Sequence, residues 1–251
     1  MSRATLGRRQ ARTLTDAELT MAWQSASLLL GYPDEELPGR LDLVRRASRE
    51  LPEQVGEPLQ ACVARLEDAS LTELEEDYVD TFDNRRRHNL FLTYFAHGDT
   101  RKRGVALLRF KQAYLAAGAA PDDAELPDHL CVVLEFGATV DLAAARQLLL
   151  DHRAGLELLR MALAESDAPW AGAVAAVCAT LPPLAGDEVE AVRRLAEEGP
   201  PAEEVGLTPY GTPGFDAAVP PSAAPAGPVD LPMPTVLTGL TGPGSGVRRG
   251  A

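Results

Sequence analysis

Apolar residues recur at helical spacing along most of residues 14–198, and almost no segment alternates between apolar and polar residues as a strand does. Two capping boxes support this pattern, since Thr15 is followed three positions on by Glu18, and Ser70 by Glu73. The sequence therefore predicts an all-α fold, a single-domain bundle of about nine short helices.

Glycine, proline and capping residues bound the individual helices. After a first helix that Gly31 ends, helices are predicted over the ranges 41–51, 58–66, 71–82, 100–117, 127–140, 141–166, 169–181 and 187–198. Pro127 is expected in the first turn of its helix. The run LFLTYF (residues 90–95) has the composition of a strand but no partner strand, so we expect a loop or a short helical turn packed into the core.

Both ends of the chain differ in composition from this helical body. Residues 1–13 are rich in arginine and contain no acidic residue, which predicts a basic disordered arm. Residues 199–251 are dense in proline and glycine and poor in large hydrophobic residues, so they bury too little surface to offset their ordering entropy. We therefore expect a folded domain over residues 14–198 and a disordered tail over residues 199–251.

The formal net charge of the 251 residues is -13. An acidic surface repels nucleic acid and anionic membranes and attracts a basic segment of a partner, although solubility alone explains the same charge. Cys62, Cys131 and Cys178 lie far apart without metal-binding spacing, as free thiols of a reducing compartment do. No export signal and no stretch of membrane-spanning length is recognisable, so we expect a cytoplasmic protein.

An acidic helix with two aromatic residues is the first candidate for a binding surface. Tyr78 and Phe82 lie four residues apart and therefore share one helical face. This combination favours a groove for a basic amphipathic peptide, although a solvated helix with two core aromatics fits the same residues. The acidic residues of this helix are Glu73, Glu75, Glu76, Asp77, Asp80 and Asp83.

No arrangement typical of catalysis or metal binding accompanies this helix. Asp128 and His129 are adjacent, but neighbouring helical positions diverge by about 100°, and no nucleophile has a fixed place beside them. The histidines show no metal-ligand spacing, and no phosphate-binding glycine motif is present. We attribute the basic clusters 85–88 and 101–103 to contacts with nearby carboxylates, and an anion site remains the alternative for the second cluster.

Five sequence blocks carry a family resemblance: EDYVDTFD, RRRHNLFLTYF, HGDTRKRG, ALLRFKQAY and ELPDHLCVVLEF. They resemble the NarJ family, the assembly chaperones (delta subunit) of respiratory nitrate reductase, within the wider TorD/DmsD group. The resemblance spans roughly residues 14–198. Three residues depart from the family pattern, because Cys131 stands where proline is expected, and Phe91 and Phe95 stand where tyrosine is common.

The resemblance implies a TorD-like cytoplasmic chaperone that is no enzyme and no part of the mature reductase. Its implied partner is the N-terminal segment of the apo alpha (catalytic) subunit, kept competent for insertion of the molybdenum bis-molybdopterin guanine dinucleotide cofactor. The chaperone itself is expected to bind no cofactor stably. A chaperone of another molybdoenzyme and a nucleotide-binding enzyme are the alternatives. In the wider group a PDH-type segment is implicated in signal-peptide binding, and here it is Pro127-Asp128-His129.

The candidate site residues fall into three groups. The expected apolar elements of the peptide groove are Tyr78, Phe82, Tyr94 and Leu130. The carboxylates expected to meet basic groups are Asp83, Asp128 and Glu135, with His129 as a pH-sensitive contact. The residues expected to brace the central loop are Arg86, Asp99 and Arg103.

Overall fold

The computed structural model describes residues 13–120 and 125–199, and these residues form eleven α-helices and no β-strand. The all-α prediction is confirmed, with eleven helices where the sequence suggested about nine. A π-helical turn (Val79–Asp83) and a 3-10 turn (Arg86–His88) follow α4. The α-helices are α1 (Asp16–Leu30), α2 (Leu37–Glu50), α3 (Glu53–Glu67), α4 (Leu71–Tyr78), α5 (Tyr94–His97), α6 (Arg101–Ala116), α7 (Leu130–Thr139), α8 (Leu142–Asp151), α9 (Arg153–Glu165), α10 (Ala171–Thr180) and α11 (Gly186–Glu198).

The described residues all belong to one compact unit. The predicted basic arm over residues 1–13, apart from Thr13, lies outside the described residues, as does the predicted tail over residues 199–251, apart from Gly199. None of the described helices combines the length and the apolar character needed to traverse a lipid bilayer.

Helix α1 lies at the centre of the bundle, where it contacts α2, α7 and α10. Its residues Trp23, Ala26 and Leu29 are fully buried. The indole N–H of Trp23 donates a hydrogen bond of 2.9 Å to the Thr180 hydroxyl of α10, so the polar atom of this large core side chain has a partner. Helix α10 also packs against α3 and α9, and α11 covers α9.

Three helix boundaries that depend on neighbouring residues lie where the sequence predicts them. Thr15 and Glu18 form a capping box at the start of α1, and Ser70 and Glu73 form one at the start of α4. Gly31 ends α1, as expected. These predictions are confirmed. They can be made from the sequence because a capping box uses only residues within three positions of each other.

The single helix predicted over residues 141–166 is wrong, because the chain forms two helices, α8 and α9, that meet at His152. The backbone of His152 leaves the helical region at φ -112° and ψ 21°. Its ring Nδ1 lies 2.9 Å from the Leu148 carbonyl oxygen, and the ring packs 5.1 Å from that of Phe110. Apolar residues on both sides of the break face the same core, so their spacing does not reveal it.

The segment 127–129 is not the first turn of a helix as predicted; it precedes α7, which begins at Leu130. Phe91 and His129 instead form an isolated antiparallel bridge, flanked by two backbone hydrogen bonds of 2.9 and 3.0 Å. The run over residues 90–95 therefore has a pairing partner that its own sequence does not indicate. Because Pro127 lacks an N–H, it is compatible both with a first helical turn and with the non-helical turn that residues 127 and 128 form.

Candidate functional site

A groove of about 380 Å³ lies between the ends of α1 and α4, the bridge between Phe91 and His129, and the first turns of α7. These elements come from distant parts of the chain, so the groove exists only in the folded bundle. Its lining residues are Gly31, Tyr32, Tyr78, Phe82, Asp83, Asn89, Leu90, Phe91, Glu125, His129, Cys131, Val132 and Glu135.

Tyr32, Tyr78 and Phe82 form an aromatic floor in the groove, with Trp170 packed against it. The Tyr78 ring centroid lies 5.3 Å from that of Tyr32, 4.7 Å from that of Phe82 and 5.3 Å from that of Trp170. The Tyr78 hydroxyl donates a hydrogen bond of 2.8 Å to the Leu30 carbonyl oxygen. Tyr78 and Phe82 are largely buried, whereas Tyr32 is 49% exposed and offers apolar surface to a ligand.

The π turn places Phe82 and Asp83 at the groove. A hydrogen bond of 3.2 Å joins the Asn84 N–H to the Val79 carbonyl oxygen, five residues earlier. This turn therefore contains one residue more than the turn of an α-helix. The Phe82 ring remains 5.4 Å from that of Trp170, and Asp83 is exposed at the rim. Such turns are rare and are frequent at functional sites. The sequence predicted an uninterrupted helix here.

The rim of the groove is acidic. Asp83, Glu125 and Glu135 are exposed, and the described lining contains no lysine or arginine. Burial lowers the pKa of His129, while the carboxylates of Glu125 and Asp128 oppose that shift. The ring is therefore mostly neutral at pH 7 and leaves the negative potential of the rim uncompensated, which favours a cationic ligand.

Asp128, which the sequence suggested as a contact for basic groups, is fully buried and does not line the groove. Its Oδ2 accepts hydrogen bonds from the Thr93 backbone N–H at 3.1 Å and from the Thr93 hydroxyl at 2.5 Å. The same oxygen lies 3.7 Å from the Arg103 guanidinium. Because both hydrogen bonds come from Thr93, the carboxylate ties the segment that carries His129 to the segment that carries Thr93.

Tyr94 and Leu130 also lie in the core instead of lining the groove. The Tyr94 hydroxyl accepts a hydrogen bond of 3.0 Å from Nε of Arg86. Leu130 begins α7 and is fully buried. Both are apolar residues in a hydrophobic stretch, and their sequence environment does not distinguish a groove position from a core position.

Arg103 connects the start of α6 to the groove wall. Its Nε donates to the Thr93 hydroxyl over 3.2 Å, and its Nη1 lies 3.6 Å from the Asp99 carboxylate. Its guanidinium also stacks over the Phe91 ring, 5.0 Å from the centroid. Phe91 in turn contacts the His129 ring at 5.1 Å, so this arginine supports two lining residues at once.

Sequence reasoning missed several lining residues, among them Tyr32, Glu125 and Val132. The sequence could have indicated Tyr32 as an exposed candidate, since it is an aromatic residue in a loop between the glycine that ends α1 and a proline. Glu125 and Val132 had none, because only the bundle brings their segments to the acidic end of α4.

The described lining of the groove contains one cysteine, Cys131. Burial raises the pKa of the Cys131 thiol to about 12, so the thiol stays protonated at neutral pH and is a poor nucleophile. Among residues 13–120 and 125–199, no three His, Cys, Asp or Glu side chains are arranged to hold a metal ion. An aromatic floor under a carboxylate rim is instead suited to binding an apolar and cationic ligand.

We expect the free energy of unfolding to fall as the pH decreases below about 6.5. Burial lowers the pKa of His88, His129 and His152 below the ordinary value of 6.5. In this window the unfolded chain binds more protons than the folded chain, so each histidine contributes a slope of at most about 1.4 kcal/mol per pH unit. Urea unfolding at several pH values above and below 6.5 measures how the free energy of unfolding changes with pH. His152→Gln should reduce this slope. Equal slopes in the wild type and in His152→Gln would contradict the prediction.

Three relatives show what the chain is similar to. The "Nitrate reductase-like protein NarX" of Mycobacterium tuberculosis (strain H37Rv) is 42% identical over 160 residues, which cover 64% of this chain and 24% of NarX. This chain thus spans about a quarter of the length of NarX. The "Probable nitrate reductase molybdenum cofactor assembly chaperone NarJ" of Bacillus subtilis (strain 168) is 34% identical over 158 residues, which cover 62% of this chain and 85% of NarJ.

The third relative is the "Nitrate reductase molybdenum cofactor assembly chaperone NarJ" of Escherichia coli (strain K12). It is 30% identical over 148 residues, which cover 58% of this chain and 63% of that protein. A family model described as the nitrate reductase delta subunit matches residues 48–176, just over half of the chain. That range contains most of the groove lining, from Tyr78 to Glu135. The predicted resemblance is confirmed, and the chain belongs to the nitrate reductase delta subunit family.

Proposed function

We propose that this chain is an assembly chaperone that binds the N-terminal segment of the apo alpha subunit of respiratory nitrate reductase in the groove. It keeps that subunit competent for insertion of the molybdenum cofactor in the cytoplasm, it is absent from the mature enzyme, and it catalyses no reaction. Two of the relatives carry the name of molybdenum cofactor assembly chaperones of nitrate reductase, which supports the proposal.

The observation that carries the proposal is the pairing of an aromatic floor with a rim of carboxylates. An amphipathic helix places its apolar residues on one face and its basic residues beside them, so it fits both parts of such a groove. Burial of apolar side chains against Tyr32 and Phe82 supplies most of the affinity. Asp83, Glu125 and Glu135 speed and orient the encounter with the cationic residues.

The proposal assigns different roles to the candidate residues. Asp83 and Glu135 meet basic groups of the client, and Tyr78 and Phe82 shape the floor for its apolar groups. Asp128 acts indirectly, because its contacts hold the loop that carries His129. The groove walls are maintained in the same indirect way by the core side chains of Tyr94 and Leu130 and by Arg86, Asp99 and Arg103.

Calorimetric titration with a synthetic peptide of the alpha subunit's N-terminus tests the proposal. We expect the wild type to bind at micromolar to nanomolar Kd, about -8 to -12 kcal/mol. Glu135→Lys reverses a charge at the rim and should weaken binding about tenfold. Glu50→Lys makes the same charge change on an exposed residue outside the groove lining and should leave the affinity within about twofold.

The apolar contribution is tested in the same titration. Tyr32→Ala should weaken binding by roughly 1–2 kcal/mol with little loss of stability, because the Tyr32 side chain is 49% exposed. Leu43→Ala is the matched control, since Leu43 is equally exposed and lies on α2 outside the lining. Absence of binding by the wild type at high peptide concentration would reject the proposal, as would equal losses in the variants and their controls.

A further inference from the structure

Helix α6 carries an apolar stripe that the described part of the bundle does not cover. Its residues Phe110 and Tyr114 are buried. Val105, Leu108 and Leu115 are 67%, 54% and 65% exposed. At 100° per residue these three side chains fall within an arc of about 80° on the side of the helix opposite to Phe110 and Tyr114. Contiguous exposed apolar residues of this kind mark an interaction surface.

The stripe is flanked by positive charge. The sequence of α6, RKRGVALLRFKQAYLA, contains basic residues and no acidic one. Lys102 and Arg109 line a depression of about 320 Å³ together with Val105, and Asp151 is the only carboxylate among its described lining residues. Helix α6 therefore presents an apolar stripe beside cations, which is the pattern of a cationic amphipathic helix.

The same molecule carries the complementary surface. The groove has an aromatic floor and three rim carboxylates (Asp83, Glu125 and Glu135) and no lysine or arginine in its described lining. The client segment that we propose and helix α6 thus share the same two properties, an apolar face and adjacent basic residues. The inference rests on the proposed function in this respect, since both assume that the groove accepts a cationic amphipathic helix.

The groove of the same copy is not available to the stripe. The opposite face of α6 is fixed to its own bundle, where the Tyr114 hydroxyl donates to the Pro127 carbonyl oxygen over 2.5 Å and Arg103 stacks on Phe91. The stripe therefore points away from this junction. A second copy has no such constraint.

Helix α6 adjoins the groove, because its residue Arg103 contacts Phe91, although the stripe lies on the other face of the helix. In a two-fold pair each stripe would face the groove of the other copy, so the stripe and the groove of both copies would be covered at once. We infer that α6 of one copy docks through Val105, Leu108 and Leu115 into the groove of a second copy, and that client peptide and self-association compete for the groove.

Sedimentation velocity of the full chain over a range of concentrations tests this inference. We expect a monomer–dimer equilibrium that shifts towards monomer with added salt and with saturating client peptide. Leu108→Glu places a charge in the stripe and should weaken the dimer at least about tenfold. Leu43→Glu makes the same change at an exposed leucine of α2 and should leave the equilibrium unchanged. A wild type that stays monomeric, or a dimer unaffected by Leu108→Glu, overturns the inference.

A charge exchange identifies the contacting surfaces. Glu135→Lys and Arg109→Glu should each weaken self-association, because each places like charges at both contacts of the pair. A mixture of the two variants should associate again, since both contacts of the mixed dimer then join opposite charges. Failure of the mixture to associate counts against the docking of α6 in the groove.

Peptide titration of Leu108→Glu separates this inference from the proposed function. This variant keeps its groove and should bind the client peptide at least as tightly as the wild type does. Peptide binding without any dimer overturns only the self-association. A dimer with the expected variant pattern, but no peptide binding to any form, overturns only the proposed client.

Discussion

Gly172→Ala is expected to lower the free energy of unfolding by about 3 kcal/mol. Gly172 lies in α10, where an added Cβ would be 2.2 Å from the backbone carbonyl oxygen of Pro58 in α3 and 3.1 Å from the Cys62 Cβ. A carbonyl oxygen inside a helix has no rotamer that relieves the clash, so α3 and α10 must move apart. The higher helix propensity of alanine, about 1 kcal/mol at most, does not offset this cost.

Chemical denaturation followed by circular dichroism measures the change, and Gly104→Ala is the matched control. Gly104 lies in α6, and a Cβ there would meet no atom within 4 Å. The control should therefore raise the free energy of unfolding by up to about 1 kcal/mol. Unchanged stability in Gly172→Ala, or an equal loss in the control, would show that the close approach of α3 and α10 does not cause the expected loss.

The Gly172 contact also matters for the groove. Trp170 immediately precedes α10, and its ring packs against Tyr78 and Phe82 of the aromatic floor. A displaced α10 would carry this ring with it, so Gly172→Ala should weaken peptide binding although residue 172 does not line the groove. The floor of the candidate site thus depends on how closely two core helices approach.

The features that the sequence predicted correctly depend on short-range interactions. The capping boxes at Thr15 and Ser70 and the end of α1 at Gly31 each follow from residues a few positions apart. Tyr78 and Phe82 were expected on one helical face, and their rings are indeed in contact. The all-α fold follows for the same reason, since helical spacing is a local property of the chain.

The features that the sequence did not reveal depend on contacts between distant segments. The bridge between Phe91 and His129 and the break at His152 arise only when helices pack. Burial is equally hidden in the sequence. Asp128 and Glu135 are both carboxylates near the start of α7, yet one is fully buried and the other is exposed at the groove. A sequence pattern indicates which residues are acidic, and the fold decides which of them can meet a ligand.

Asp128→Ala is expected to lower the free energy of unfolding by about 3 kcal/mol. The substitution leaves the buried Thr93 N–H and hydroxyl without their acceptor, which lies 3.1 and 2.5 Å away in the wild type. It also removes the carboxylate that faces the largely buried Arg103 guanidinium at 3.7 Å. Asp128→Asn keeps an acceptor for Thr93 and should lose less. Urea unfolding of the three proteins measures these differences.

Asp99→Ala is the matched control, because Asp99 pairs with the same arginine at 3.6 Å but its side chain is 70% exposed. An exposed ion pair contributes little, so we expect a change within about 0.5 kcal/mol. The peptide titration then decides between two roles for Asp128. If Asp128→Ala lowers the free energy of unfolding and only partly weakens peptide binding, because the loop that carries His129 is less well held, then Asp128 is a positioning residue. Unchanged stability with abolished binding would return Asp128 to the role that the sequence suggested, a direct contact with the basic groups of the client, and would require the segment 127–129 to open when the client binds.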